Sequence, residues 1–282
     1  MLTIIGTGLL GSNFTKALLA KGEKVNVWNR TAEKAKVLEA DGAKVFEDVA
    51  DAVKGSDRVH VILSDDDSVD EVLEHARPGL APGTFILDHT TTTKKGAIKR
   101  TQQWAKDGFT YVHAPVFMGP ANALDSSGFM LISGDQEIVE KVTPWLTPMT
   151  GKLINLGERT GDAAGIKLLG NLFYITMVGG FSDMLALSKS LDISTGQISN
   201  LFQSWNPGNV VPARFAKIAG GNFDDPSWEL QMARKDARLM MEEAQNGNEE
   251  LSFIPVVARE MDKWLEKGAA HKDWTIIASE TL

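Results

Sequence analysis

The chain contains no cysteine, which excludes disulfides, thiolate metal ligands and a cysteine nucleophile, and suits a reducing cytosol. Its five histidines are scattered with no two at metal-ligand spacing, so no metal site is expected. A concentrated basic stripe is also missing. The formal net charge is −8, and the nearest basic cluster, Lys94-Lys95 with Lys99-Arg100, reads as a solvated helix face, so a nucleic-acid surface is not expected. No unbroken apolar run reaches the length of a membrane span: the longest, residues 172–181, is closed by Asn171 on one side and Ser182-Asp183 on the other. The first strand-like segment begins at Leu2 and leaves no room for a leader, so a cytoplasmic protein is expected, with no membrane partner. Internal repeats and low-complexity segments are absent. What remains is a chain of 282 residues, 43% hydrophobic, long for one α/β domain and sufficient for two with full cores.

The apolar stretch Leu2-Thr3-Ile4-Ile5 is followed at once by Gly6-Thr7-Gly8-Leu9-Leu10-Gly11 and then by a helix-like run. Strand, glycine turn and helix start in this order are the context that gives a G-x-G-x-x-G its meaning as a dinucleotide site. The first glycine allows the tight turn, the second lets backbone approach a pyrophosphate, and the third lets helix pack against strand. The helix N-terminus then offers unpaired N–H groups to the phosphates. The second strand ends at Asn29-Arg30-Thr31, where an NAD site carries an acidic residue for the ribose 2′-OH. Here a carboxylate is missing. Arg30 offers a planar fork of donors to a 2′-phosphate, with Asn29, Thr31 and Lys34 adding hydrogen bonds or charge. The expected cofactor is NADP(H).

Up to about residue 155, strand-like segments (2–5, 24–28, 44–46, 58–63, 84–88, 110–114, 129–133) alternate with amphipathic helical ones (12–21, 32–41, 48–54, 68–74, 95–106, 137–146). Such alternation predicts a Rossmann-type α/β fold, a doubly wound and mainly parallel sheet. From Asp162 to about Ser190 one long, largely buried helix is expected. Helical patterns at 195–202, 212–219, 227–246 and 253–267 follow with no strand-like alternation. The predicted organisation is a nucleotide-binding domain over 1–160 and an all-α domain over 161–282 that begins with the long interdomain helix. That helix has more apolar surface than its own domain needs, so it should also pack on the first domain or on a second subunit.

Three further segments carry polar groups. Asp88-His89-Thr90-Thr91-Thr92-Thr93 lies at a strand end, where ligands of open α/β sheets bind; its hydroxyls suit nicotinamide, ribose or substrate, and equally suit a helix N-cap. His113-Ala114-Pro115-Val116-Phe117-Met118-Gly119-Pro120 can present consecutive N–H groups to an anion or can be a plain strand exit. In Gly161-Asp162-Ala163-Ala164-Gly165-Ile166-Lys167-Leu168-Leu169-Gly170-Asn171, Lys167 and Asn171 are four apart and share a helix face. A lysine among small and apolar neighbours is partly desolvated, which lowers its pKa and suits proton transfer; snorkelling to solvent is the alternative. Lys235-Asp236 looks, by charge alone, like a solvated helical face.

The order of these motifs resembles the β-hydroxyacid dehydrogenases, a family that includes 3-hydroxyisobutyrate dehydrogenase and the glyoxylate/succinic semialdehyde reductases. The resemblance runs through nearly the whole chain, down to Asp273. It implies that Lys167 is the general acid/base at the carbonyl oxygen and that Asn171 orients substrate beside it. It also implies that Thr90 meets substrate and nicotinamide and that Thr91 contacts the cofactor. Leu63 and Ser64 would lie over the cofactor, and Lys235 would reach the site from the second domain. One segment departs from the pattern: after Ala114-Pro115-Val116 the family has Ser-Gly-Gly or Ser-Gly-Ser, and this chain has Phe117-Met118-Gly119. Their backbone would still bind substrate, in a smaller or more apolar pocket. The expected function is NADP(H)-dependent hydride transfer to a small carbonyl compound or from a short hydroxyacid, in a homo-oligomer (dimer or tetramer) joined through the helical domain. An imine reductase-like enzyme and a non-catalytic NADP-binding scaffold are the alternatives.

Overall fold

The structure is a computed structural model and describes residues 1–281. By internal contacts the chain forms two units, Met1–Leu172 and a second from Phe173 onward. The division falls inside the long helix, beyond the expected boundary at residue 160, so Lys167 and Asn171 belong to the first unit.

In that unit β1 (Leu2–Ile5), β2 (Val25–Trp28), β3 (Lys44–Val45), β4 (Arg58–Val61), β5 (Phe85–Asp88) and β6 (Thr110–His113) form one sheet in the order β3-β2-β1-β4-β5-β6. Every pairing is parallel. Parallel neighbours need crossovers, supplied here by α1 (Leu9–Ala20), α2 (Ala32–Lys36), α3 (Val49–Val53), α4 (Asp66–Ala76) and α5 (Lys94–Lys106). Successive strand residues face opposite sides: Leu2 and Ile4 enter one core with Phe14 and Leu18, while Ile5 enters the other with Val61, Val69 and Leu73. Both faces are thus covered, which is why these strands read as almost unbroken apolar runs.

Register positions the site. Ile5 pairs with Trp28 and Val61, Val61 with Asp88, and Asp88 with His113. The residues that follow, Gly6, Asn29, Ile62, His89 and Ala114, therefore leave the sheet along one carboxyl edge. Strand order reverses between β1 and β4, the switch point at which open α/β sheets bind ligands.

The expected strand at 129–133 is not part of this sheet. β7 (Val116–Phe117), β8 (Phe129–Ile132) and β9 (Lys152–Asn155) make a second, three-stranded sheet, with β7 antiparallel to β8. Pro115 cannot donate a ladder hydrogen bond, so the chain leaves the main sheet after β6 and pairs elsewhere. α6 (Pro120–Asp125) and α7 (Gln136–Leu146) complete the unit, and α8 (Asp162–Ser190) follows.

The second unit is helical: α9 (Thr195–Ser204), α10 (Val211–Ala219), α11 (Leu230–Asn246) and α12 (Ile254–Glu266). Leu230, Ala233, Ala237, Ala258 and Met261 form its core. Asp183 of α8 accepts from the N–H groups of Ser252, Phe253 and Ile254 at 2.7–2.9 Å and so closes the start of α12. Asp273 is buried and accepts from the N–H and hydroxyl of both Ser227 and Thr275.

Two expectations about α8 need correction. Far from being largely buried, it exposes Leu169, Phe173 and Ile175, the last at 69%. By length and composition it is also apolar enough to cross a membrane, because its polar residues are too sparse to shorten the span that unbroken runs suggested.

Candidate active site

Gly6 and Gly11 make the tight turn and the close helix-strand packing that their spacing predicts. Gly6 takes φ +95°, and a Cβ there would lie 2.1 Å from the Ile62 carbonyl oxygen. A Cβ on Gly11 would lie 1.9 Å from the Gly6 oxygen, so the third glycine is what lets α1 meet β1. At Gly8 a Cβ would meet nothing within 4 Å: this flank of the turn is open, next to the first N–H groups of α1. Thr7 Oγ1 is buried and without a hydrogen-bond partner among the described residues. An open backbone flank, a helix N-terminus and an orphaned hydroxyl suit the phosphates of a dinucleotide.

From this turn a cleft of about 540 Å³ runs between the ends of β1, β2 and β4. Gly8, Leu9 and Leu10 line one side, Asn29, Arg30, Thr31 and Lys34 another, and Leu63 and Ser64 a third. Asn29 spends its amide on the fold: its Oδ1 accepts from Thr7 N–H at 3.0 Å and its Nδ2 donates to the Thr31 carbonyl at 2.9 Å, which fastens the corner to the glycine turn. Arg30 and Lys34 are exposed and carry the positive charge of the corner. Ser64 Oγ lies 2.7 Å from Ser68 Oγ.

The threonine run divides its labour. Thr93 is the N-cap of α5, accepting from Gly96 N–H at 3.0 Å. Thr92 is buried against His113, and Thr91 is exposed at the strand ends. Thr90 is buried and its Oγ1 accepts from Leu63 N–H at 3.0 Å, joining the β5 exit to the cleft wall. Behind it lies a network that sequence reasoning missed. Thr90 N–H donates to Asp88 Oδ1 at 2.9 Å, Tyr111 donates to Asp88 Oδ2, and Arg100 Nε donates to Tyr111 at 3.0 Å. Arg100 also holds Asp66 at 2.6 Å and Asp70 at 2.9 Å. It is therefore buried, not part of a solvated face; its partners come from α4 and β6, so its own helix gave no sign of this. His60 and His89 are stacked beside the network, 2.9 Å apart between Nδ1 and Nε2, and His89 Nδ1 meets the Ala114 carbonyl at 2.7 Å. Burial holds the pKa values of His60, His89 and His113 below 6.5, so all three are neutral.

Lys167 lies one turn and a half into α8. The first turn is fixed by an ion pair from Lys94 to Asp162 at 2.6 Å and by Ser133 Oγ accepting from Ala163 N–H at 3.0 Å. Lys167 is only 9% exposed, its Nζ donates to Asn171 Oδ1 at 2.9 Å, and burial lowers its pKa from 10.5. It does not snorkel. The Phe117 ring covers it, with Nζ 4.3 Å from the ring centroid. The turn that carries Phe117 continues through Met118, which packs on the main core, and Gly119 to Pro120 on the cleft wall. Gly119 N–H is committed to Asn122 Oδ1 at 2.9 Å, so it is a brace of the turn. The first unit thus brings together the glycine turn, the Arg30 corner, Leu63 with Thr90, and Lys167 with Asn171 and Phe117. Lys235 belongs to α11 of the second unit, where it pairs with Asp236 at 2.7 Å.

A profile described as the NAD binding domain of 6-phosphogluconate dehydrogenase matches residues 1–157. Uncharacterized oxidoreductase YfjR of Bacillus subtilis (strain 168) is 22% identical over 279 residues, 98% of either chain. Glyoxylate/succinic semialdehyde reductase 1 of Arabidopsis thaliana is 25% identical over 257 residues, 90% of this chain and 88% of that one. Among solved structures, an imine reductase from Myxococcus stipitatus in complex with NADP+ has a TM-score of 0.91 at 22% identity, covering 99% of this chain and 98% of its own. A V8 variant of that enzyme was solved with NAD+, at a TM-score of 0.90 and 20% identity, covering 100% of this chain and 99% of its own. At such identities these structures speak to the fold alone.

Proposed function

The chain belongs to the family defined by the NAD binding domain of 6-phosphogluconate dehydrogenase, the NAD(P)-dependent oxidoreductases that include the β-hydroxyacid dehydrogenases, and from this premise we propose that it is an NADP(H)-dependent reductase of small carbonyl compounds. The size class is that of a semialdehyde or a short hydroxyacid, with Lys167 as general acid. The observation that carries the reading is the pair of buried Lys167 and half-buried Asn171, in the unit that also holds the dinucleotide cradle. NADPH, when bound, supplies the hydride.

Everything else falls to side chains of this protein. Lys167 donates a proton to the carbonyl oxygen as that oxygen gains charge, a step worth about 10²- to 10⁴-fold in rate. Asn171 fixes the direction of the ammonium group, and in oxidation the neutral amine takes the proton back. Thr90, braced by Asp88, holds the nicotinamide end of the cleft in register through Leu63. Arg30, with Thr31 and Lys34, favours a 2′-phosphate over a 2′-hydroxyl, since no carboxylate occupies the end of β2. The likeness to glyoxylate/succinic semialdehyde reductase 1 of Arabidopsis supports reduction of an aldehyde carbonyl.

We assign the exposed apolar residues of α8 to a second copy of this chain, as a dimer or tetramer in the cytoplasm, with neither nucleic acid nor membrane as partner. The net charge of −8 agrees with that choice. Light scattering on the wild type and on Ile175→Glu tests it; a wild-type monomer refutes it. For the reaction, NADPH oxidation is followed with short aldehydes and cyclic imines side by side. The proposal expects the aldehydes to be reduced. Turnover of the imines alone would replace it with an imine reductase, which the apolar Phe117 and Met118 make the nearest rival, and tight NADPH binding without turnover would replace it with a scaffold.

A further inference from the structure

Phe117 stands where the β-hydroxyacid dehydrogenases have a serine, and a second residue is fitted to it. A Cβ on Gly170 would lie 2.3 Å from Phe117 Cζ and 2.7 Å from Cε1, so the tip of the ring is seated on the bare backbone of α8. A glycine inside a helix costs about 1 kcal/mol relative to alanine, and here its place is explained by the ring it admits. From that seat the ring spans to Lys167, the residue before the turn that ends at Asn171.

This arrangement limits what Lys167 can do. An ammonium group has three N–H donors. One goes to Asn171 at 2.9 Å and the ring face, 4.3 Å away at its centroid, takes a second. One remains, enough for a carbonyl oxygen. A carboxylate beside that carbonyl would need another donor, and it would have to approach the negative face of the ring. Gly119 N–H, a backbone donor on the same turn as Phe117, is already given to Asn122.

We propose that Phe117, seated on Gly170 and covering Lys167, is a specificity-determining residue that excludes carboxylates, so that the enzyme reduces carbonyl compounds flanked by hydrocarbon. The inference rests on the reductase reading above and narrows its substrates to uncharged carbonyl compounds of that size, setting aside the hydroxyacids and acidic semialdehydes. Each turnover forms a C–H bond at the carbonyl carbon with hydride from NADPH and an O–H bond with a proton from Lys167. The C=O π bond breaks, the carbonyl is reduced to an alcohol and NADPH is oxidised to NADP+.

The test uses aldehyde pairs in which carboxylate and isopropyl are exchanged: glyoxylate with 2-methylpropanal, and 4-oxobutanoate with 4-methylpentanal. Wild type is expected to favour the uncharged member of each pair at least tenfold in kcat/KM. Phe117→Ser and Phe117→Thr, the second better suited to strand β7, should each move that ratio at least tenfold toward the acid. The change should appear in KM for the acids far more than in kcat for the acids, a split that a merely structural role would not produce. A wild type that prefers the acids overturns the inference without any variant, as does an unchanged ratio in whichever variant folds. Failure to reduce any of the four aldehydes would instead overturn the reductase reading and the inference with it.

Discussion

Replacing Gly8 or Gly11 by alanine should separate folding from nucleotide binding within one turn. On Gly11 the new methyl would lie 1.9 Å from the Gly6 oxygen, 3.0 Å from the Gly6 carbonyl carbon and 3.7 Å from Ile62 Cβ. To restore an ordinary contact, α1 must back away from β1 by roughly 1.5 Å, loosening Phe14 and Leu18 in the core below; overpacking of this kind costs about 1–3 kcal/mol. For a chain of this size that is a fall in Tm of roughly 2–12 °C. At Gly8 the methyl meets nothing within 4 Å, and the backbone φ of −71° is ordinary for alanine. The Tm should therefore stay within about 1 °C or rise slightly, since alanine lowers the entropy of the unfolded chain. The methyl would, however, stand on the open flank where phosphate approaches the helix N-terminus. Loss of one charge-assisted hydrogen bond there is worth about 1.5–3 kcal/mol, or about 10- to 150-fold in the Kd for NADPH. Thermal melts and NADPH fluorescence titrations read the two effects separately. The reasoning fails if Gly8→Ala melts as early as Gly11→Ala, or if it binds NADPH within twofold of wild type.

Arg30→Asp should reverse the coenzyme preference, because it removes the phosphate partner and supplies an acceptor for the ribose hydroxyl; steady-state kinetics with NADPH and NADH should show the efficiency ratio falling at least tenfold, and an unchanged ratio refutes the assignment. Acid should destabilise the fold between about pH 6.5 and 5, before most carboxylates titrate. The buried His60, His89 and His113 have pKa values below those of the unfolded chain, so the unfolded state binds more protons and stability, complete above pH 6.5, is lost as pH falls. Each contributes at most about 1.4 kcal/mol per pH unit in that window; a Tm that is flat from pH 7 to 5 contradicts this, and His60→Leu should lessen the slope.

Much of the nucleotide half was legible because its signals are local. A four-residue apolar strand, a glycine turn and a helix start are adjacent in sequence, and Gly6 and Gly11 have the close backbone contacts their positions imply. The starts of α1 and α4 were placed about three and two residues late, since Gly8 and Asp65 cap them from outside the periodic run. The second sheet was missed because β7 has only two residues, too few for an alternation to register. Arg100 was misread for a different reason: its partners Asp66, Asp70 and Tyr111 come from other elements, and a charged residue on a helix carries no mark of what the fold sets against it. The exposure of α8 was likewise hidden, because apolar composition says that a surface wants covering and not which chain covers it. That Lys167 and Asn171 share a helix face was legible from their spacing. The ring above Lys167 was not, for Phe117 and Gly170 meet only through the fold.

The central claim, that Lys167 is the proton donor, is tested most directly by the pH dependence of aldehyde reduction by wild type and Lys167→Ala, both saturated with NADPH. Burial lowers the pKa of Lys167 below 10.5, so the wild-type rate should fall as pH rises through that lowered value and the donor is lost, while the reverse oxidation rises through the same value. Lys167→Ala should bind NADPH as wild type does, turn over about 10²- to 10⁴-fold more slowly, and lack that limb. Wild-type turnover by Lys167→Ala, or an unchanged pH profile, would contradict the account.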